Sequence, residues 1–222
     1  MSNAVEQARG LGQSVWYDNI RRGLIESGEL QRLIDTGVSG LTSNPTIFEK
    51  AITGSADYDD ALDGLARQGK TATEIFETLT MEDIRAAADL LRPTYDATGG
   101  ADGYASLEVS PHLARDTRGT VQEAERLFAA LERPNVLIKI PATPEGIPAV
   151  REVIGLGINV NVTLIFSLDA YERVREAYIA GLESLVRSDG DVSKIASVAS
   201  VFVSRGETAV DGVLEERIAE GQ

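Results

Sequence analysis

Apolar and polar positions along this chain fall into two alternating kinds of run. The short apolar runs are SVWYDNI (14–20), VSGLT (38–42), YASLEVS (104–110), VLIKIPA (136–142), INVNVTLIF (158–166) and IASVASVFVS (195–204). Their length and their Gly, Pro and Asn boundaries predict strands. Between them the apolar period lengthens to that of a helix. Helices are expected over RRGLIESGELQRLIDTG with Gly37 as a stop, throughout 56–98, from about Thr120, over 145–155, over 168–187 and from about Glu207. Ser43 or Asn44 can cap a helix that has Pro45 at its first position, where a missing N–H costs nothing. Thr71 to Glu74 has capping-box spacing, Thr80 to Asp83 has a weaker version, and ATGG at 97–100 ends the long stretch.

Strands alternating with helices mean parallel βαβ units. A doubly wound sheet and a (β/α)8 barrel both satisfy that pattern. The first strand–helix loop has no glycine-rich phosphate fingerprint, which weakens the dinucleotide-binding sheet. The polar residues favour the barrel. Each strand carries one or more near its C-terminal end: Asp18, Asn44, Glu108, Lys139, Asn161 with Thr163, and Ser200 with Arg205 just beyond. In INVNVTLIF, Asn159, Asn161 and Thr163 share one face, and Val160, Val162, Leu164 and Phe166 share the other. The apolar face is expected under helices and the polar face inside a barrel. Reactive groups of such barrels come from several strand ends at one rim.

Plainer readings exist for each of these residues. Asp18 and Asn44 are also suited to helix capping, and Asn161 and Thr163 to bonding neighbouring backbone. Glu108 and Lys139 are also suited to a structural ion pair, Lys139 with either Glu108 or Asp18. His112, in SPHLARDT, reads as a loop or helix-start residue. Lysine is nevertheless among the side chains least often buried without a partner, and Lys139 stands inside an apolar strand. Taking an ammonium out of water favours the neutral amine, and a neutral amine beside carboxylates attacks carbonyls to form a Schiff base. The protonated imine is an electron sink that lets an adjacent C–C bond break. Such a reaction needs one group for the hydroxyl proton of the departing half and another for the carbinolamine protons. Asp18 and Glu108 supply two carboxylates for those tasks.

Composition narrows the partners. The 222 residues carry a formal net charge of −14, which repels phosphate backbones and anionic membranes, so neither nucleic acid nor a membrane surface is expected as a partner. An anionic small molecule has to be held by local arginines. There are no cysteines and one histidine, so disulfides and thiolate sites are excluded and no metal site is expected. No apolar run approaches the roughly 20 residues of a membrane span. The N-terminus lacks a signal-peptide layout, and a cytoplasmic location is the expectation.

From about residue 14 to about residue 215, the chain resembles the transaldolases of the pentose phosphate pathway. The runs that carry the resemblance are VWYDNI, GLTSNPTIFEKAI, SLEVSP with LARDT, NVLIKIPAT, GINVNVTLIFS and VASVFVSR. The resemblance implies a (β/α)8 TIM barrel of the class I aldolase type and no cofactor. It also implies transfer of a dihydroxyacetone unit from sedoheptulose 7-phosphate or fructose 6-phosphate to glyceraldehyde 3-phosphate or erythrose 4-phosphate. On it, Lys139 matches the Schiff-base lysine, Asp18 the acid/base at the C4 hydroxyl, and Glu108 the carboxylate acting through a water that Thr163 helps to hold. Asn44, Asn161 and Ser200 match residues binding the dihydroxyacetone hydroxyls, and Arg205 a phosphate-binding arginine. The related fructose-6-phosphate aldolases release free dihydroxyacetone. They have glutamine where Glu108 stands and tyrosine where Phe202 stands, and they lack the helical insert over 45–103.

The pattern stops short of the family's. Six of eight strands are legible, and strands seven and eight are absent, with the second phosphate-binding arginine. Residues 1–222 are therefore expected to form a single, incomplete α/β-barrel domain, the N-terminal part of a longer protein. It is expected as a monomer or homodimer, or completed by the missing C-terminal segment. The alternatives to a transaldolase are a lyase releasing dihydroxyacetone and an inactive barrel fragment.

Overall fold

In a computed structural model, which describes residues 3–221, all six expected strands form. In chain order the elements are α1 (Ala4–Gly10), β1 (Trp16–Tyr17), α2 (Arg22–Glu26), α3 (Glu29–Asp35), β2 (Gly40–Thr42), α4 (Pro45–Gly54), α5 (Asp59–Arg67), α6 (Ala72–Ala97), β3 (Ala105–Glu108) and α7 (Thr117–Leu131). There follow β4 (Val136–Pro141), α8 (Gly146–Gly155), β5 (Val160–Ile165), α9 (Leu168–Arg187), β6 (Ser197–Val201) and α10 (Val203–Ala219). No helix among the described residues is long and apolar enough to cross a membrane.

Several boundaries differ from the sequence reading, each for a local reason. The helix expected up to Gly37 is two, because Gly28 adopts φ 72° and breaks the ladder between α2 and α3. The stretch 56–98 is a 3-10 turn, α5 and α6, interrupted near Gly69 at φ 77°. Thr71 and Glu74 do form the capping box of α6, whereas Thr80 starts nothing: it lies within α6 and its hydroxyl donates to the Glu77 carbonyl. α1 was not anticipated; Asn3 and Glu6 form its capping box. The last helix begins at Val203, not near Glu207, so β6 is shorter than expected and Arg205 lies on α10.

The chain divides into two compact units, Met1–Pro111 with Gln122–Lys139 and His112–Val121 with Ile140–Gln222. In the first, strand order follows chain order, β1-β2-β3-β4, and every pairing is parallel. A doubly wound sheet reverses its stepping after the first strands; this chain steps one way only. That is the α/β order of the opening strands of a (β/α)8 barrel. From Val136 to Pro141 every residue is buried, as a strand covered on both faces requires. The long α6 packs along β3 with a buried stripe of Leu79, Ile84, Ala87, Ala88 and Leu91, spaced for one helix face.

Polar anchors hold the first strand and the helical insert. Asp102 accepts from Trp16 Nε1 at 3.1 Å and also from the Ser14 hydroxyl, tying β1 to the turn before β3. α2 has no side-chain cap of its own. Instead its Arg22 and Gly23 N–H groups donate to Tyr58 Oη (2.8 Å) and Asp57 Oδ2 (3.1 Å). Tyr58 in turn donates to Asp83, buried in α6, and Arg22 Nε reaches the same carboxylate at 2.9 Å.

In the second unit β5 pairs with β6 in parallel, with a register break between Val162 and Ile165. α8 packs on α9, where Gly181 allows the approach: a Cβ there would come within 2.7 Å of Ile154 Cβ. The alternation expected for 158–166 therefore fails beyond Thr163. Leu164 takes φ 60° in a β-bulge and is 39% exposed, and Phe166 is 57% exposed, so neither lies under helices with Val160 and Val162.

Gly40 shows how tight the first unit is, because a Cβ there would overlap the indole of Trp16. Gly40→Ala is expected to destabilise the chain by about 1–3 kcal/mol through overpacking, read as a lowered urea midpoint.

Candidate active site

Register alone brings the first set of candidates to one face. Glu108 is the parallel partner of Lys139, Thr42 of Ser106, and Gly40 of Trp16. With a side-chain period of two, Trp16, Gly40, Thr42, Ser106, Glu108 and Lys139 share a face, with Leu41 and Leu107 on the opposite one. Lys139 is 5% exposed. Its Nζ donates to the Ser43 carbonyl at 3.0 Å and lies 3.6 Å from Glu108 Oε2. The Ser43 hydroxyl donates to the Ser106 carbonyl at 2.7 Å, fixing the end of β2 against β3. The Glu108 side chain is 15% exposed. Burial pushes its carboxyl above the usual range, and the nearby Lys139 ammonium offsets this only in part.

Asp18 lies one residue beyond β1 and is exposed. It caps nothing, because the cap position of α2 is Arg21. Asn44 is the N-cap of α4, with Pro45 in the first turn; its Oδ1 accepts from Ile47 N at 2.9 Å, leaving Nδ2 as a donor. The cap reading thus holds for Asn44 and fails for Asp18. His112 sits exposed in a 3-10 turn, Pro111–Leu113. A cavity of about 230 Å³ opens beside Asn44, Phe48, Phe76, Leu107, Glu108 and Leu127. Glu108, the partner of Lys139, borders it together with Ser43, whose carbonyl accepts from Lys139 Nζ. Among the described residues, no group of three or more His, Cys, Asp or Glu side chains is placed to hold a metal ion.

The second unit holds the remaining candidates. Asn161 is buried, and its Oδ1 accepts from Ser200 Oγ at 2.9 Å. Thr163 is buried with its hydroxyl unpartnered among the described residues. Phe202 stacks on Phe166 with centroids 5.4 Å apart, and the Arg205 guanidinium lies 4.6 Å over the Phe202 ring. Arg205 stands in the first turn of α10 and is exposed.

Ser43, read from the sequence only as an alternative cap, contributes instead a carbonyl, which leaves no residue-type signature. Sequence reading missed Asp102 and the Asp57–Tyr58–Asp83 cluster, whose partners are 25 to 88 residues away. A buried acid within a helix, as at Asp83, was the available signal.

The raised carboxyl of Glu108 has a definite sign in stability. In the window from the ordinary carboxylate pKa up to the raised value, the folded chain binds a proton that the unfolded chain has released. Stability contributed by this group is therefore present at the acid side of the window and lost as pH rises through it. Glu108→Gln is expected to remove that component. Urea unfolding of both proteins across the window checks it: parallel pH dependences contradict the assignment.

Comparison with known proteins assigns the chain. The family model described as Transaldolase/Fructose-6-phosphate aldolase matches residues 15–221. A protein named Transaldolase from Trichodesmium erythraeum is 49% identical over 219 residues, covering 98% of this chain and 58% of that protein. Transaldolase 1 of Streptomyces avermitilis is 51% identical over 223 residues, covering 99% of this chain and 58% of its own length. The Transaldolase of Acidothermus cellulolyticus is 48% identical over 217 residues, with 97% and 58% covered. The chain thus spans about 58% of the length of these relatives. With a parallel α/β order, a buried lysine–glutamate pair on one strand face, and a match running from residue 15 to 221, the chain belongs to the transaldolase/fructose-6-phosphate aldolase family.

Proposed function

We propose that this chain carries the Schiff-base chemistry of a transaldolase, moving a dihydroxyacetone unit from a ketose phosphate to an aldose phosphate. The observation that carries this reading is the buried Lys139 amine held between the Ser43 carbonyl and Glu108. The donors are sedoheptulose 7-phosphate or fructose 6-phosphate, and the acceptors glyceraldehyde 3-phosphate or erythrose 4-phosphate. We further propose one barrel domain working in the cytoplasm, as a monomer or homodimer, with no nucleic acid or membrane partner.

The steps are as follows. A proton leaves the Lys139 ammonium for Glu108, whose raised carboxyl is suited to receive it. The freed amine adds to the C2 carbonyl of the ketose. Glu108, through a water held with Thr163, returns a proton as the carbinolamine loses water and the protonated imine forms. Asp18 takes the proton of the C4 hydroxyl. The C3–C4 bond breaks, its electron pair moves into the imine to give an enamine, and the aldose departs. The enamine carbon then attacks the acceptor aldehyde, Asp18 gives its proton to the new alkoxide, and hydrolysis frees Lys139. Asn44, Asn161 and Ser200 hold the dihydroxyacetone hydroxyls, Phe202 walls the site, and Arg205 holds the phosphate. A planar guanidinium matches phosphate oxygens better than an ammonium does.

Borohydride trapping with fructose 6-phosphate, followed by peptide mass mapping, tests the central step. The adduct is expected on Lys139 and lost in Lys139→Met; an adduct elsewhere, or none, overturns the reading. Asp18→Ala is expected to lower turnover by about 10²–10⁴-fold, measured with erythrose 4-phosphate as acceptor. Release of free dihydroxyacetone without an acceptor would instead mark a lyase.

A further inference from the structure

We propose that Phe166 is a positioning residue for Arg205, acting through Phe202. The inference rests on the reading of Arg205 as the phosphate-binding group and adds how that group is held. Arg205 is exposed and forms no ion pair among the described residues; its guanidinium is placed by the Phe202 ring, 4.6 Å from the centroid. Phe202 is itself backed by Phe166, with rings 23° from parallel and centroids 5.4 Å apart. The three follow in a row: two stacked rings with a cation over the second.

The backbone is built to bring these rings together. In an unbroken strand Phe166 points with Val160 and Val162 into the apolar side. The bulge at Leu164, held at φ 60°, shifts the β5–β6 register so that Ile165 pairs with Val201. Phe202 N then donates to the Ile165 carbonyl at 3.0 Å, which sets Phe202 beside Phe166. A left-handed leucine is sterically disfavoured, and such outliers persist where the surroundings over-determine them, characteristically at functional sites. The effect of the stack is preorganisation. A guanidinium lying on a ring face keeps its N–H edge for phosphate oxygens, and less rotamer freedom is lost when the anion binds.

The test needs no turnover. Arginine side-chain Nε–Hε resonances of the full chain are recorded by NMR, with Arg205 assigned by Arg205→Lys, and inorganic phosphate is titrated in. The Arg205 resonance is expected to carry an upfield ring-current shift that Phe166→Ala reduces and Phe166→Trp retains. The phosphate midpoint at Arg205 is expected to rise about two- to five-fold in Phe166→Ala and to return in Phe166→Trp. If Phe166→Ala leaves both shift and midpoint unchanged while phosphate moves Arg205 in the parent chain, the stack is overturned and the phosphate reading stands. If phosphate does not move Arg205 in the parent chain, the phosphate reading falls and takes the positioning role with it. Failure of Phe166→Trp to restore the midpoint, with β5 and β6 amide resonances displaced in both variants, would mark Phe166 as structural only.

Discussion

A single buried cation constrains the first unit. An ammonium removed from water is strongly disfavoured unless it is paired and hydrogen-bonded, so Lys139 can stand in an apolar strand only where an acceptor and a counter-charge await it. The chain supplies both from neighbouring strands: the Ser43 carbonyl at the end of β2 and the Glu108 carboxylate opposite on β3. That pairing requires the β3–β4 register to be as it is. A slip of one residue would turn Glu108 to the other face and leave two buried charges unpaired. The buried ion pair and the strand register are therefore one constraint.

The same economy of partners explains how the insert over 45–103 is tied down. Its Asp57, Tyr58 and Asp83 satisfy the exposed N–H groups at the start of α2 and the guanidinium of Arg22. Burial pushes the Asp83 carboxyl up even with Arg22 and Tyr58 bonded to it. α2 opens four residues after Asp18, which gives the insert a structural hold on the segment that follows that carboxylate.

Within the first unit the buried polar side chains include an ion pair, Lys139 with Glu108, whereas the buried Asn161 and Thr163 of the second are uncharged. Asn161 and Ser200 bond each other, and the buried Thr163 hydroxyl has no partner among the described residues. Arg205, by contrast, has its guanidinium over the Phe202 ring and no carboxylate partner among the described residues.

By itself the sequence determined the strand–helix alternation, because apolar period and cap residues are local properties: Asn44 before Pro45 and Thr71 with Glu74 act in the fold as they read in the chain. It also determined that Lys139 and Glu108 needed partners, since burial follows from apolar neighbours in a run. Which partners they took was left to tertiary structure, because register between strands 31 residues apart in sequence, as Glu108 and Lys139 are, is set by pairing and not by local pattern. The bulge at Leu164 was illegible for the same reason: a clean alternation in 158–166 conceals a register shift that only the partner strand imposes. The helix up to Gly37 and the end of β6 were misread where one residue in a left-handed conformation, or a neighbouring element, overrode a plausible local signal.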